Sequence, residues 1–308
     1  MSRSVSASPP ARASIRTPIP SDQAPAALFA QDVPHGSFPD RPIFIVGPHR
    51  SGTTLVYILL AKHPDVACFT AADRRMPHWP RVAYWLNVVG RDRMPHEAQR
   101  LWDLRWPGVD DEMRAADATP DVVAWYRARV LRSLELRGRT RFLAKYPRLS
   151  LRLEWLDAVF PGCLFLHVVR DWRAVVHSTA ERRTKRRGRD GDAEHFGVRI
   201  PGWRGMAELP PALAAGRIYG HVTRRLESDA ERFGPRMRRV EYETLCARPG
   251  EELRAIAAWA GLAPSADFER RCPRSLKARN DKWIASPHRG QFARIRAEDP
   301  ELFARYET

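Results

Sequence analysis

Residues 44–54, FIVGPHRSGTT, constrain the fold of this 308-residue chain more than any other stretch. An apolar run over 42–46 ends in Gly47. Gly52 follows, and then two threonines. A short apolar run closed by glycine reads as a buried parallel strand. The next segment, TTLVYILLAK over 53–62, reads as a helix that stops before His63-Pro64. In a strand–loop–helix unit the loop amides and the helix N-terminus hold one phosphate. The nucleotide-binding loop G-x-x-x-x-G-K-[ST] places a lysine after its second glycine. Here Thr53 stands at that position, and the cation, Arg50, lies inside the loop. The missing lysine is the one that stabilises a transferring γ-phosphoryl group together with a metal ion. No apolar strand ending in a metal-binding aspartate accompanies the loop either, so kinase or ATPase chemistry is not expected.

The rest of the chain alternates in the same way. Strands are expected over 65–69, 141–147, 163–171 and 237–245. Helices are expected over 120–137, 150–160, 216–233 and 249–262, with another beginning at about 173. Such alternation specifies an α/β fold, a single domain with a central parallel sheet flanked by helices. The domain is expected over 39–308, after a flexible extension over 1–38 rich in Ser, Pro and Ala.

A second motif completes the first. In FLHVVRDWRAVVHST an apolar strand delivers Arg170 at its carboxyl end, and Ser178 follows about two turns into the next helix. A guanidinium fork and a hydroxyl can then converge on a second phosphate-like group.

Together the two stretches resemble the 5′-phosphosulfate loop and the 3′-phosphate motif of sulfotransferases that use 3′-phosphoadenylyl sulfate (PAPS). Their fold is related to that of the P-loop NTPases. KYPRLSLRLEWLDAVFPGCLFLHVVRDWRAVVHS, LLAKHPDV and EYETL with ARPGEELRAIAAWAGL further resemble the branch holding the protein-tyrosine sulfotransferases and bacterial relatives. The resemblance covers roughly 40–70 and 140–285. It implies that Arg50, Ser51, Gly52, Thr53 and Thr54 hold the 5′-phosphosulfate, and that Arg170 and Ser178 hold the 3′-phosphate. Tyr242 and a basic loop from Ser275 to Lys282 finish the cofactor site. It also implies sulfuryl transfer to a hydroxyl or phenol with release of adenosine 3′,5′-bisphosphate and no metal. Arg50 and Lys145, the latter in the branch's K-x-P motif, would act on the departing group.

An acceptor hydroxyl also needs a base. The branch places a glutamate shortly after H-P-D-V, but this chain has Thr70, Ala71 and Ala72 there. Asp73 is the first carboxylate and the expected base, with His49 and His78 as rivals. Residues 74–120 and 181–215 are expected to form the acceptor site and its lid. Their tryptophans, Trp79, Trp85, Trp102, Trp106 and Trp203, suit an aromatic, glycosidic or acidic acceptor equally. A tyrosyl peptide, a glycan and a small molecule all remain open.

The formal net charge of +16 favours an anionic partner. The basic run over 181–192 lacks the stacking aromatics or helix-turn-helix pattern of a nucleic-acid reader, so nucleic acid is not expected. Competing readings are a nucleotide kinase with an eccentric loop, a basic nucleic-acid-binding protein, and a relative that binds the cofactor without catalysis. Cys68, Cys163, Cys246 and Cys272 are widely spaced and read as free thiols. No run reaches the roughly 18 apolar residues of a membrane span. With no apolar signal core near the start, a cytoplasmic location is expected.

Overall fold

A computed structural model describes residues 40–76, 78–89, 94–106, 108–186 and 197–307. The expected extension over 1–38, and residues 187–196 of the expected lid region, lie outside the described residues. The chain begins with β1 (Ile43–Val46), α1 (Thr53–Leu60), β2 (Val66–Ala67), α2 (Ala71–Arg75), α3 (Pro80–Val89) and α4 (Gln99–Asp103). It continues through α5 (Pro120–Arg137), β3 (Arg141–Lys145), α6 (Leu153–Val159), β4 (Leu164–Val169) and α7 (Trp172–Arg186). Then come α8 (Pro211–Phe233), β5 (Met237–Glu241), α9 (Tyr242–Ala247), α10 (Pro249–Trp259) and α11 (Ala266–Arg271).

The five strands form one parallel sheet of order β2-β3-β1-β4-β5. The chain adds β2 and β3 on one side of β1 and β4 and β5 on the other. The carboxyl end of β1 is therefore the topological switch point, where open α/β sheets leave a crevice for ligands. Register brings the other strand ends to the same edge: Ile45 lies beside Lys145, and Val46 beside His167.

Side chains alternate across a strand, so β1 feeds two cores. Phe44 and Val46 enter one cluster with Trp102, Tyr126, Trp155 and Phe165. Ile43 and Ile45 enter the other with Tyr57, Leu143, Leu166 and Ile256. All four β1 side chains are fully buried, and each contributes about 1.5–3 kcal/mol. That burial fixes the loop that follows. Trp102 stacks on Tyr126 at 5.4 Å and meets Phe44 edge-on, so it is a core residue and not an acceptor wall.

Most elements differ from expectation by a few residues at one end or both, and one of these differences bears on the site. The strand expected over 237–245 ends at Glu241, opposite Val169, and α9 starts at Tyr242. Helix geometry from that point turns the Tyr242 ring back toward the loop after β1.

Candidate active site

The loop after β1 is shaped by residues that few side chains could replace. Gly47 has φ 148°, and a Cβ there would meet the Val168 carbonyl at 2.5 Å. Its N–H donates to Ser150 Oγ at 2.9 Å, and that hydroxyl donates back to the Gly47 carbonyl at 3.1 Å. Arg50 is a non-glycine residue at φ 70°, a conformation that costs about 1–3 kcal/mol. At Gly52 (φ 100°) a Cβ would lie 2.5 Å from the Tyr242 ring. Gly52 caps α1, whose first turn carries no acidic residue, which leaves the positive helix end for an anion. Ser51 is fully buried, and its hydroxyl has no hydrogen-bond partner among the described residues.

The second anion-binding segment meets the first directly. Arg170 Nη1 donates to the Arg50 carbonyl at 2.9 Å, and Arg50 Nε donates to Ser178 Oγ at 2.8 Å. Tyr242 is the floor beneath Arg170, whose guanidinium lies 4.5 Å from the ring centre. The C-terminal loop closes the far side: Arg170 donates to Asn280 Oδ1 at 2.9 Å and to the Arg279 carbonyl at 2.6 Å. Lys282 and Ser275 are exposed on this loop; burial lowers the pKa of His177, beside Ser178, and Lys282 is among the nearby cations that lower it further. Burial pushes the Arg50 pKa down, and Arg182 and Arg170 push it further. Three guanidiniums at close quarters repel one another, and a polyanion relieves that repulsion.

A second group lies at the end of β3. Lys145 is only 4% exposed, and its Nζ donates to Thr54 Oγ1 at 3.0 Å and to the Glu97 carboxylate. Burial holds the Lys145 pKa below the usual lysine range, Glu97 pulls it back up, and Arg50 lowers it. The Glu97 loop is held at both ends. His96 N–H donates to the Phe69 carbonyl at 2.8 Å, and the His96 carbonyl accepts the Tyr57 hydroxyl at 3.2 Å. Ala98 is left-handed at φ 48°, and its N–H donates to His96 Nδ1 at 2.9 Å. Gln99 Nε2 donates to the second Glu97 oxygen at 3.0 Å. Six residues on, Asp103 accepts from the Tyr146 hydroxyl at 2.7 Å. The neighbours Lys145 and Tyr146 are thus both tied to the segment running from Glu97 into α4.

A model of the sulfotransferase family matches residues 42–266, taking in both anion-binding segments and Lys145. The chain belongs to the sulfotransferase family. It is 25% identical over 280 residues to omega-hydroxy-beta-dihydromenaquinone-9 sulfotransferase Stf3 of Mycobacterium tuberculosis, covering 80% of this chain and 69% of that one. It is 33% identical over 223 residues to protein-tyrosine sulfotransferase 2 of Gallus gallus, covering 72% of this chain and 51% of the relative. Sulfotransferase STF9 from Mycobacterium avium shares the fold, with a TM-score of 0.60 at 18% identity over 90% of this chain and 81% of that one.

In this sulfotransferase the structure changes the account of the base. Asp73 is buried and caps α2. Its Oδ2 accepts from Thr70 N at 2.7 Å, Thr70 Oγ1 at 2.8 Å and Arg137 Nη2 at 2.8 Å. Its bonds tie it to Thr70 and Arg137, and among the described residues no hydrogen bond or ion pair joins it to Lys145. His78 lies two residues before α3 with a buried Nδ1, and His49 packs beside Gly197. Glu97 is the carboxylate paired with Lys145, and its side chain is 26% exposed. Sequence reasoning missed it. The signal it offered was chemical: a buried K-x-P lysine needs a counter-charge, whatever its distance along the chain. Among the described residues no group of three or more His, Cys, Asp or Glu is placed to hold a metal ion, and no helix is long and apolar enough to cross a membrane.

Proposed function

We propose that this sulfotransferase moves the sulfuryl group of PAPS to an acceptor hydroxyl by in-line displacement, releasing adenosine 3′,5′-bisphosphate. The observation that carries the reading is the joining of Arg50 and Arg170, which makes one cradle of two anion-binding segments. The residues present fit such a donor. Ser51 offers a buried, unpartnered hydroxyl, Gly52 admits Tyr242 beneath the loop, and Arg170 with Ser178 can take a phosphate distant from the reacting one.

The chemistry then divides among residues of this chain. Arg50 and Lys145 supply positive charge to the bridging oxygen, where negative charge grows as the S–O bond breaks. Thr54 holds the Lys145 ammonium in position. The Glu97 carboxylate takes the acceptor proton as the new O–S bond forms. Because Glu97 and Lys145 touch, proton removal and leaving-group stabilisation occur side by side. The absent glutamate at 70–72 therefore no longer argues for a relative without catalysis. The reading places the enzyme in the cytoplasm, where its four free cysteines stay reduced. Transfer from radiolabelled PAPS to a broad acceptor panel tests it. Tight bisphosphate binding with no labelled product from any acceptor class would count against catalysis.

A further inference from the structure

We infer that the outer face of α3 docks on an anionic lipid bilayer, and that the acceptor is a hydroxyl-bearing amphiphile drawn from that bilayer. The second half rests on the transfer reading; the docking itself does not.

Nine large apolar side chains are exposed among the described residues, and six of them fall between 79 and 94: Trp79, Val82, Trp85, Leu86, Val88 and Met94. Scattered exposure of single apolar side chains is ordinary, whereas a contiguous patch marks an interaction surface. The inner side of α3 is satisfied, with Ala83 buried and Tyr84 lying 5.9 Å from the Arg137 guanidinium. Val82, Trp85 and Leu86 recur at steps of three and one, which puts them together on the opposite face. Trp79 and Trp85 are 67% and 61% exposed, an unusual state for two indoles in water.

Charge selects the occupant. Lys62, Arg75 and Arg139 have no carboxylate partner among the described residues. Lys62 and Arg139 line a cavity of about 510 Å³ beside the edge strand β2, whose walls include Tyr84 from the inner side of α3 and the exposed Val88 and Met94. Exposed indoles on α3, with cations lacking a carboxylate partner around the cavity that Val88 and Met94 line, suit a bilayer interface, where rings enter the acyl boundary and cations meet lipid phosphates. The patch also leads to the chemistry. Met94 is three residues before Glu97, so their Cα atoms lie within about 11 Å. An acceptor headgroup held at this face is thereby near the proposed base.

The test uses the full chain in co-sedimentation with vesicles of phosphatidylcholine alone and of equal parts phosphatidylcholine and phosphatidylglycerol. Binding is expected to the second and to weaken with salt. The variant Trp79→Ser/Trp85→Ser/Leu86→Ser should bind at least about tenfold more weakly, the loss of little more than one buried apolar contact. Its affinity for adenosine 3′,5′-bisphosphate should be unchanged, which shows that the variant is folded and separates docking from the cofactor site. Failure of the wild type to bind anionic vesicles overturns the proposal, as does equal binding by the variant, which would leave net charge as the cause. A wild-type dimer that the variant converts to a monomer, with no vesicle binding by either, makes the face a self-interface and also overturns it.

Discussion

Arg170, just past β4, donates to the backbone carbonyl of Arg50 at 2.9 Å, so the residue assigned to one phosphate also holds the loop assigned to the other. Its Nε and Nη2 fix the C-terminal loop at Asn280 Oδ1 and the Arg279 carbonyl. Arg170→Ala should therefore weaken adenosine 3′,5′-bisphosphate binding by about 2–3 kcal/mol, the scale of a charge-assisted contact left unmade. Arg170→Lys should not restore it, because an ammonium cannot replace the planar fork. Calorimetry showing full affinity in either variant would remove Arg170 from the site.

Glu97 and Asp73 should separate cleanly by the property each controls. Glu97→Gln should lower kcat by about 10²-fold or more with cofactor affinity nearly kept, the usual scale of general-base catalysis. Asp73→Asn should keep kcat and lose about 1–3 kcal/mol of stability, since it weakens the buried contacts to Thr70 and Arg137. Denaturant titrations and turnover assays on the two proteins check both halves. A kcat loss confined to Asp73→Asn would restore Asp73 as the base.

Lys145 gives the reaction a pH signature. Replacement by Ala should lower kcat by about 10²–10³-fold with a much smaller change in cofactor affinity, as for one preorganised donor. Burial holds its pKa below the usual lysine range, so kcat should fall on the alkaline side before an ordinary lysine would titrate. Glu97 is the neighbour that raises this pKa, so residual activity in Glu97→Gln should fall at still lower pH. An alkaline limb unmoved by Glu97→Gln would contradict the pairing.

His167 ties acid stability to the centre of the sheet. Burial, with a smaller effect from Arg239, depresses its pKa from 6.5 to about 3, and its buried Nε2 has no hydrogen-bond partner among the described residues. Between those values the unfolded chain holds the proton and the folded chain does not. Stability is full above the unfolded value and is lost as pH falls toward the folded one, at up to about 1.4 kcal/mol per pH unit. His167→Gln should flatten this slope in denaturant titrations between pH 6.5 and 4. An unchanged slope would assign the acid loss to other groups.

The parts legible in the sequence are those written locally. The strand, two glycines and helix after Phe44 announce the loop locally, although Ser150, Val168 and Tyr242, all distant in sequence, pack around it. Arg170 and Ser178 lie on one strand end and one helix for the same reason. Glu97 was not legible because its placement depends on tertiary bonds to Phe69 and Tyr57 and on a left-handed Ala98, none of which leaves a spacing signal. The ion pair of Asp73 with Arg137 was not legible either, because proximity in sequence to H-P-D-V says nothing of a partner 64 residues away. Trp102 looked like pocket wall and is core, since an indole's sequence context does not reveal which side of a helix meets Tyr126.

The central claim is a donor site with two separate phosphate positions, and paired calorimetric titrations with adenosine 3′,5′-bisphosphate and 5′-AMP test it most directly. The 5′-AMP molecule leaves Arg170 and Ser178 without their anion, so it should bind weaker by about 2–3 kcal/mol, on the order of 30- to 150-fold. Equal affinities for the two nucleotides would contradict the account.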